Sequence, residues 1–275
     1  MCIEAGVEII ALHFNHNLRP EAAAEAQWLG ALFKAYNVPF YSQEWQFTGA
    51  AVQGRLQAEA RNARYTFFKK QCAELGVKNL LLGHTADDVA ETTLMRLFYG
   101  SGLQGLKTMA AQQNMSENLT LHRPFLQVRR ESLRLYLKQR RQPWLEDPSN
   151  ANANFVRVRA RYWAKKLNMV EALCLLSANF NKLEAALKPF EANLLIEKTE
   201  GKTFVDSTLL TKPTYLQTRI IKGLVQTMTG HYPPRQKQVE RLLTLLKEST
   251  KPYELGHLRW QGMPMLLLLF RRNSG

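Results

Sequence analysis

Residues 7–14 (VEIIALHF) form a short, β-branched, mostly apolar run that ends in the polar HNLR before Pro20, which is the pattern of a buried strand. Pro20 stands at the favoured first position of a helix, with Glu21 and Glu25 early in it, so a helix is predicted over 20–36, up to the Asn37-Val38-Pro39 turn. An extended segment at 40–45, a long helix at 54–75 closed by Gly76, and an apolar strand at 77–83 (VKNLLLG) follow. Strands alternating with helices, the strands continuously apolar, predict an α/β fold: a parallel, doubly wound sheet with helices on both faces.

The stretch after the third strand, HTADDVAETTLMRLF, predicts a helix capped by Thr85, with Asp87 and Asp88 in its first turn. Ligands of open α/β sheets bind at the carboxyl ends of strands, and His84 sits at such an end. Asp88 and Glu91, three apart, share a helix face. Such a pair either caps and solubilises the helix or receives a cationic amine. Gly100-Ser101-Gly102-Leu103-Gln104-Gly105 matches G-x-G-x-x-G, but it follows a helix and opens no βαβ unit, so it reads as a helix-ending turn. The pattern is mostly helical over 129–187, broken at 142–144 and 146–150. The polar EKTEGK at 197–202 reads as a linker, followed by an amphipathic helix at 235–248 and a terminal hairpin, 257–260 with 265–271, turning at Gln261-Gly262. Three regions result: an α/β domain over 1–128, a basic helical region over 129–196, and a small α+β domain over 203–275.

With 275 residues, 45 % of them hydrophobic and 22 % charged, the chain excludes wholesale disorder, collagen and coiled coil. The apolar run at 263–270 contains Pro264 and is far shorter than the roughly 20 residues of a bilayer span, and residues 1–6 carry no leader pattern; a cytoplasmic protein without a membrane partner is expected. Cys2, Cys72 and Cys174 lie far apart, which argues against disulfides and a thiolate zinc site; no metal ligand set is identified. Charge changes the picture more. Thirty-seven Lys and Arg against twenty-three Asp and Glu give +14, although residues 1–60 carry −3. Residues 123–166 alone carry +9, and nine of their twelve basic residues are arginine, whose fork matches phosphate. Nucleic acid is the expected partner.

Several segments then carry a resemblance: His13-Phe14-Asn15-His16-Asn17-Leu18-Arg19, Glu59-Ala60-Arg61-Asn62-Ala63-Arg64-Tyr65, and His84-Thr85-Ala86-Asp87-Asp88-Val89-Ala90-Glu91-Thr92 continuing through Arg96 to Gly100-Ser101-Gly102. Arg123-Pro124-Phe125-Leu126, Glu146-Asp147-Pro148-Ser149-Asn150 and Phe155-Val156-Arg157-Val158-Arg159-Ala160-Arg161 complete the set. In order and spacing, over most of 10–161, these resemble the tRNA(Ile)-lysidine synthetases of the ATP-pyrophosphatase (PP-loop) superfamily, and the region after 210 resembles that family's tRNA-contacting middle domain more loosely. The resemblance implies an adenine-nucleotide-binding sheet, ATP with Mg2+, free lysine and tRNA(Ile). It implies a tRNA modification in two steps: ATP adenylates the 2-carbonyl oxygen of an anticodon cytidine with release of pyrophosphate, then an amine of lysine attacks that carbon and displaces AMP. By the same resemblance Asp88 and Glu91 hold the lysine with His84 beside them. Arg61, Arg64 and His13 contact the nucleotide, and Arg123, Asn150, Arg157 and Arg161 contact the tRNA. Arg157, Arg159 and Arg161 alternate and cannot share one helix face, so mixed structural and phosphate-binding roles are expected.

The superfamily's S-G-G-x-D-S loop, whose backbone N–H groups wrap the ATP phosphates, occurs nowhere in these residues. By motif order residue 1 falls inside the helix that follows that loop, so the chain is expected to be a fragment. Its central sheet would then hold unpaired strand edges, at about 1–3 kcal/mol per buried unsatisfied group, and it would form no lysidine. Two other readings are a non-enzymatic tRNA-binding remnant and a sulfur-inserting member of the superfamily; the scattered cysteines disfavour the second.

Overall fold

Strand β1 (Ala11–Asn15) lies parallel to β2 (Phe40–Glu44), Ala11 opposite Phe40 and Asn15 opposite Glu44. The connecting helix α1 (Ala22–Ala35) packs on both strands, as a parallel crossover requires. This computed structural model describes residues 2–17, 21–46, 56–146, 156–192, 195–199, 202–230, 233–256, 258–262 and 266–271. It divides into two units, Met1–Asn181 and Lys182–Gly275.

In the first unit, helix α2 (Leu56–Glu74) ends ahead of Gly76, whose φ of +66° suits a residue without Cβ, and leads to β3 (Asn79–Leu81). Phe67, Phe68 and Cys72 of α2 are buried with Phe14, Leu80, Leu119 and Leu121 in one core. Burial of each such side chain contributes about 1.5–3 kcal/mol. Strand β3 pairs parallel with β5 (Leu119–His122), and β4 (Gln112–Ser116) pairs antiparallel with β5. The strand expected over 77–83 as fully buried is therefore shorter and half open: Leu80 is buried, whereas Asn79 and Leu81 are exposed. The physical reason is pairing. Among the described residues β3 has a neighbour on one side only, and a cavity of about 780 Å³ is lined by Ala11, Leu12 and His13 of β1 and by Asn79, Leu80 and Leu81 of β3.

Helix α3 (Ala86–Phe98) stops at Gly100, in the left-handed region at φ +62°, with Ser101 N–H donating to Arg96 C=O at 2.9 Å. The glycine-rich segment is thus the helix-ending turn that its context predicted. In the short helix α4 (Leu103–Leu106) a Cβ on Gly105 would stand 2.7 Å from Ser101 Cβ, so this close approach needs glycine. Helices α5 (Arg130–Gln139), α6 (Val156–Lys166) and α7 (Val170–Ala192) follow, the last crossing the unit boundary. Ala160 and Ala164, one turn apart on α6, are buried with Ala90 and Leu94 of α3, and these small side chains let the two helices approach closely.

The second unit holds an antiparallel sheet in the order β6-β7-β10-β9-β8: β6 (Leu195–Thr199), β7 (Lys202–Asp206), β8 (Tyr253–Leu255), β9 (Leu258–Gly262) and β10 (Leu266–Arg271). Helices α8 (Thr214–Thr229) and α9 (Gln236–Glu248) bury Ile221, Val225, Val239 and Leu243 with Trp260 and Leu258. Two sequence expectations change here. Within the EKTEGK segment, Glu197 to Thr199 and Lys202 lie in the paired strands β6 and β7, Thr199 opposite Lys202, because an edge strand tolerates a charged sequence; residues 200 and 201 lie outside the described residues. Gln261 and Gly262 lie within β9, opposite Leu268 and Leu267, and not in a turn; His257 and Met265 of the expected hairpin lie outside the described residues. No helix among the described residues is long and apolar enough to cross a membrane.

Candidate functional site

The site is built at the carboxyl ends of β1 and β3 and on the first turns of α3. Thr85 precedes α3 in extended conformation, and its N–H and its hydroxyl both donate to Asp88 Oδ2, each at 2.8 Å. The carboxylate thereby closes the helix start, a variant of the capping expected from Thr85. Asp87 Oδ2 accepts the backbone N–H of Arg130 at 2.7 Å, which ties the start of α5 to the start of α3. One turn along α3, Glu91 is 1 % exposed.

Three guanidinium groups converge on this pair. Arg130 donates to Asp88 Oδ1 at 3.1 Å and to Glu91 Oε1 at 3.2 and 3.3 Å. Arg157 donates through Nη2 to Asp88 Oδ1 at 3.0 Å and through Nε to Glu91 Oε2 at 2.8 Å. Arg161 donates through Nε to Glu91 Oε1 at 2.6 Å and through Nη2 to Oε2 at 3.5 Å. Arg157 and Arg161 are four apart and share the α6 face that carries Ala160 and Ala164, whereas Arg159 is exposed on another side. Two carboxylates and three guanidiniums leave the cluster at +1. Burial raises the cost of charging Asp88, yet the two Thr85 donors and then Arg130 and Arg157 outweigh it and hold its carboxyl below the usual range. Beside the cluster a cavity of about 350 Å³ is lined by Arg134, Lys138 and Lys165 as well as by Arg130, Arg161 and Glu91.

On the strand-end side, burial lowers the His84 pKa to about 4; Asp88 opposes this, and the charges of Arg123, Arg157 and Arg61 add to it. His84 is therefore neutral near pH 7. Its Nδ1, the Nδ1 of His16, the Nε of Arg64 and the Nδ2 of Asn15 are buried without a hydrogen-bond partner among the described residues. Orphaned polar atoms are uncommon in folded proteins, and four of them at the ends of β1 and β3 and on α2 mark a place where a polar ligand fits. Burial and the neighbouring Arg64 also lower the pKa of His16, whose ring meets Trp45 edge-on at 6.3 Å. Arg61 lies over the Tyr65 ring, 4.9 Å from its centre.

Of the residues named from sequence, His84, Asp88, Glu91, Arg157 and Arg161 are brought together, and Arg61 and Arg64 stand within electrostatic reach of them. His13 is set apart, its ring stacked on Phe40 at 6.2 Å. Arg123 is buried, donating to Ala110 C=O at 2.8 Å and to Gln113 Oε1 at 3.1 Å, a geometry that holds the start of its loop rather than facing a macromolecule. Asn150 lies outside the described residues. Arg130 and His16 were missed as site residues. The Arg129-Arg130-Glu131 triplet at a helix start and the second histidine of the His13–His16 segment were the available signals.

No three Asp, Glu, His or Cys side chains among the described residues converge as cation ligands, and the oxygens of Asp88 and Glu91 already accept donors. These residues do not fit a magnesium site.

The PP-loop domain family matches residues 1–166. The tRNA(Ile)-lysidine synthase of Ruegeria pomeroyi is 31 % identical over 256 residues, covering 90 % of this chain and 60 % of that protein. That of Rhodopseudomonas palustris is 38 % identical over 159 residues, covering 58 % and 45 %, and that of a Synechococcus strain is 32 % identical over 243 residues, covering 85 % and 72 %. The chain thus spans well under two thirds of the length of the first two relatives. Among solved structures, the U34-tRNA thiolase NcsA from Methanococcus maripaludis, with its [4Fe-4S] cluster, superposes with a TM-score of 0.51 at 13 % identity over 64 % of this chain and 61 % of that one, a likeness of fold alone. With a PP-loop domain over more than half its length and relatives of this similarity, the chain belongs to the tRNA(Ile)-lysidine synthase family of PP-loop proteins.

Proposed function

We propose that the described crevice is the amine- and RNA-facing part of a site that forms lysidine: ATP adenylates the 2-carbonyl oxygen of an anticodon cytidine, pyrophosphate leaves, and an amine of lysine then attacks the activated carbon and expels AMP. The observation that carries this reading is the convergence of half-buried Asp88 and buried Glu91, both reached by solvent-exposed Arg157, beside a neutral His84. Each residue type suits one demand of the reaction. Anionic oxygens suit a lysine ammonium, forked guanidiniums suit phosphates and a leaving AMP, and a neutral imidazole accepts or donates a hydrogen bond without adding charge.

His84 at a pKa of about 4 is too weak a base to hold the proton of an alkylammonium, so in this state it orients the amine rather than deprotonating it. Anions arriving beside Arg61 and Arg157 would offset the charges that depress it and raise its basicity when substrates are present. Arg61 and Arg64 are assigned to the nucleotide, and Arg157 and Arg161 to RNA phosphate. Arg123 holds the start of its loop within electrostatic reach of His84, and His13, stacked on Phe40, lies apart from the amine site.

The S-G-G-x-D-S segment is absent from these 275 residues, so the donors that would wrap the pyrophosphate are not among the groups described. Filled acceptors on both carboxylates also favour a second reading, an RNA-binding chain without turnover. Incubation with lysine, ATP and unmodified tRNA(Ile), followed by nucleoside mass spectrometry, separates the two. Lysidine is expected when the chain is fused behind an S-G-G-x-D-S segment of a relative and not from the 275 residues alone. A fused chain that binds tRNA, ATP and lysine yet forms no product overturns the enzymatic reading.

A further inference from the structure

A carboxylate offers about four lone-pair directions, and counting donors against acceptors shows an obstacle inside the proposed site. Asp88 Oδ2 is taken by the Thr85 N–H and hydroxyl, and Oδ1 by Arg130 and Arg157. Glu91 Oε1 is taken by Arg130 and Arg161, and Oε2 by Arg157 and Arg161. An ammonium cannot enter without displacing a donor. Thr85 is fixed in the start of α3, and Arg130 is held by its backbone N–H on Asp87. The side chains of Arg130 and Arg161 are 26 % and 28 % exposed, while that of Arg157 is 45 % exposed. Arg130 and Arg157 each bridge both carboxylates, and of these two Arg157 is the more exposed.

We propose that Arg157 is a latch over the amine site, which leaves Asp88 and Glu91 for an RNA phosphate and so makes room for the lysine ammonium only after RNA has bound. Charge supports the exchange. Replacing one guanidinium by one ammonium keeps the cluster at +1, and departure of Arg157 uncovers one acceptor direction on Asp88 Oδ1 and one on Glu91 Oε2, adjacent and both anionic. A phosphate in turn offers the planar, bidentate partner that the guanidinium gives up. Because coupling between two ligands is reciprocal, lysine strengthens RNA binding by the same factor as RNA strengthens lysine binding. Arg157 is thus a positioning residue that sets the order of binding, and this inference rests on the amine-site reading above.

Equilibrium dialysis of labelled lysine against the full 275-residue chain, with and without an anticodon-arm RNA hairpin at saturation, tests it. The wild type is expected to bind lysine about tenfold more tightly, or better, with RNA, the scale of one charge-assisted hydrogen bond. R157Q is expected to bind lysine without RNA as tightly as the RNA-bound wild type, with no further gain from RNA; a gain in affinity cannot come from a misfolded chain. R157K, which keeps the charge but cannot bridge both carboxylates, is expected to fall between, and R159Q, which removes the same charge from an exposed position, to match the wild type. If the wild type binds lysine equally with and without RNA and R157Q and R157K bind no tighter, the latch is overturned while the amine site stands. If no form binds lysine in either condition, the amine site and the latch both fall.

Discussion

Arg161 and Glu91 face each other across the α3–α6 contact, Nε to Oε1 at 2.6 Å, with the glutamate 1 % exposed. Seventy residues of sequence separate the pair, yet it fixes the charge balance of the whole crevice. A buried carboxylate that three guanidiniums share is costly to remove, because each cation loses a partner it cannot replace with water.

Glu91→Gln is therefore expected to destabilise the first unit by about 3–5 kcal/mol, the range for breaking a buried ion pair from one side. Urea unfolding followed by tryptophan fluorescence reads it. Arg161→Gln should cost less, and the double variant less than the sum. A loss for Glu91→Gln within about 0.5 kcal/mol, the scale of an ordinary surface change, would show that the ion lattice does not hold the helices together.

His84 gives a pH signature. Its folded pKa of about 4 lies below the ordinary 6.5, so between these values the unfolded chain binds the proton more readily than the folded one. This contribution to stability is full above pH 6.5 and declines as pH falls toward 4. Melting temperatures measured across that interval should drop more steeply for the wild type than for His84→Gln. Parallel curves would place the imidazole in open solvent.

RNA binding should fall steeply with ionic strength if the α6 arginines meet phosphates. Arg157→Gln is expected to reduce the slope of log affinity against log salt by about 1, and Arg161→Gln by less, because Arg161 is the more enclosed. Filter binding at several salt concentrations measures this. Unchanged slopes for both would leave them purely structural.

In a chain completed with an S-G-G-x-D-S segment, Asp88→Asn is expected to raise the KM for lysine at least tenfold more than the KM for ATP, since one charge-assisted contact is worth about that factor. Steady-state assays with each substrate varied separate the two. Equal changes would point to loss of the helix start rather than loss of an amine partner.

Packing sets the distances in the cluster. Ala160→Leu would add three carbon atoms of crowding in the packed cluster with Ala90, the overpacking regime of about 1–3 kcal/mol, and should weaken RNA binding by shifting Arg157 and Arg161 together. Thermal unfolding and RNA affinity measured on the same preparation check both effects.

Much of this arrangement was legible in the chain. Helix α3 follows from its capping residue and α9 from its apolar spacing, signals that act within a few turns, and the turn at Gly100 follows from glycine after a helix. Strand β3 was overread because the apolar run VKNLLLG reports affinity for a sheet interior, while pairing on both edges depends on residues far away in sequence. The pairing of β6 with β7 was hidden by its charges, which an edge position permits. Asp88 and Glu91 announced themselves by spacing. Their partners did not: the contacts to Arg130, Arg157 and Arg161 span 39 to 70 residues, and no local pattern encodes which arginine of a basic block will turn inward.

Asp88 binds two levels of organisation into one side chain. One oxygen sets where a helix begins, and the other sets how strongly two distant cations are drawn inward. Mutational drift at this position consequently has no neutral direction: a change that spared the electrostatics would still unravel the first turn, and one that spared the turn would still scatter the arginines.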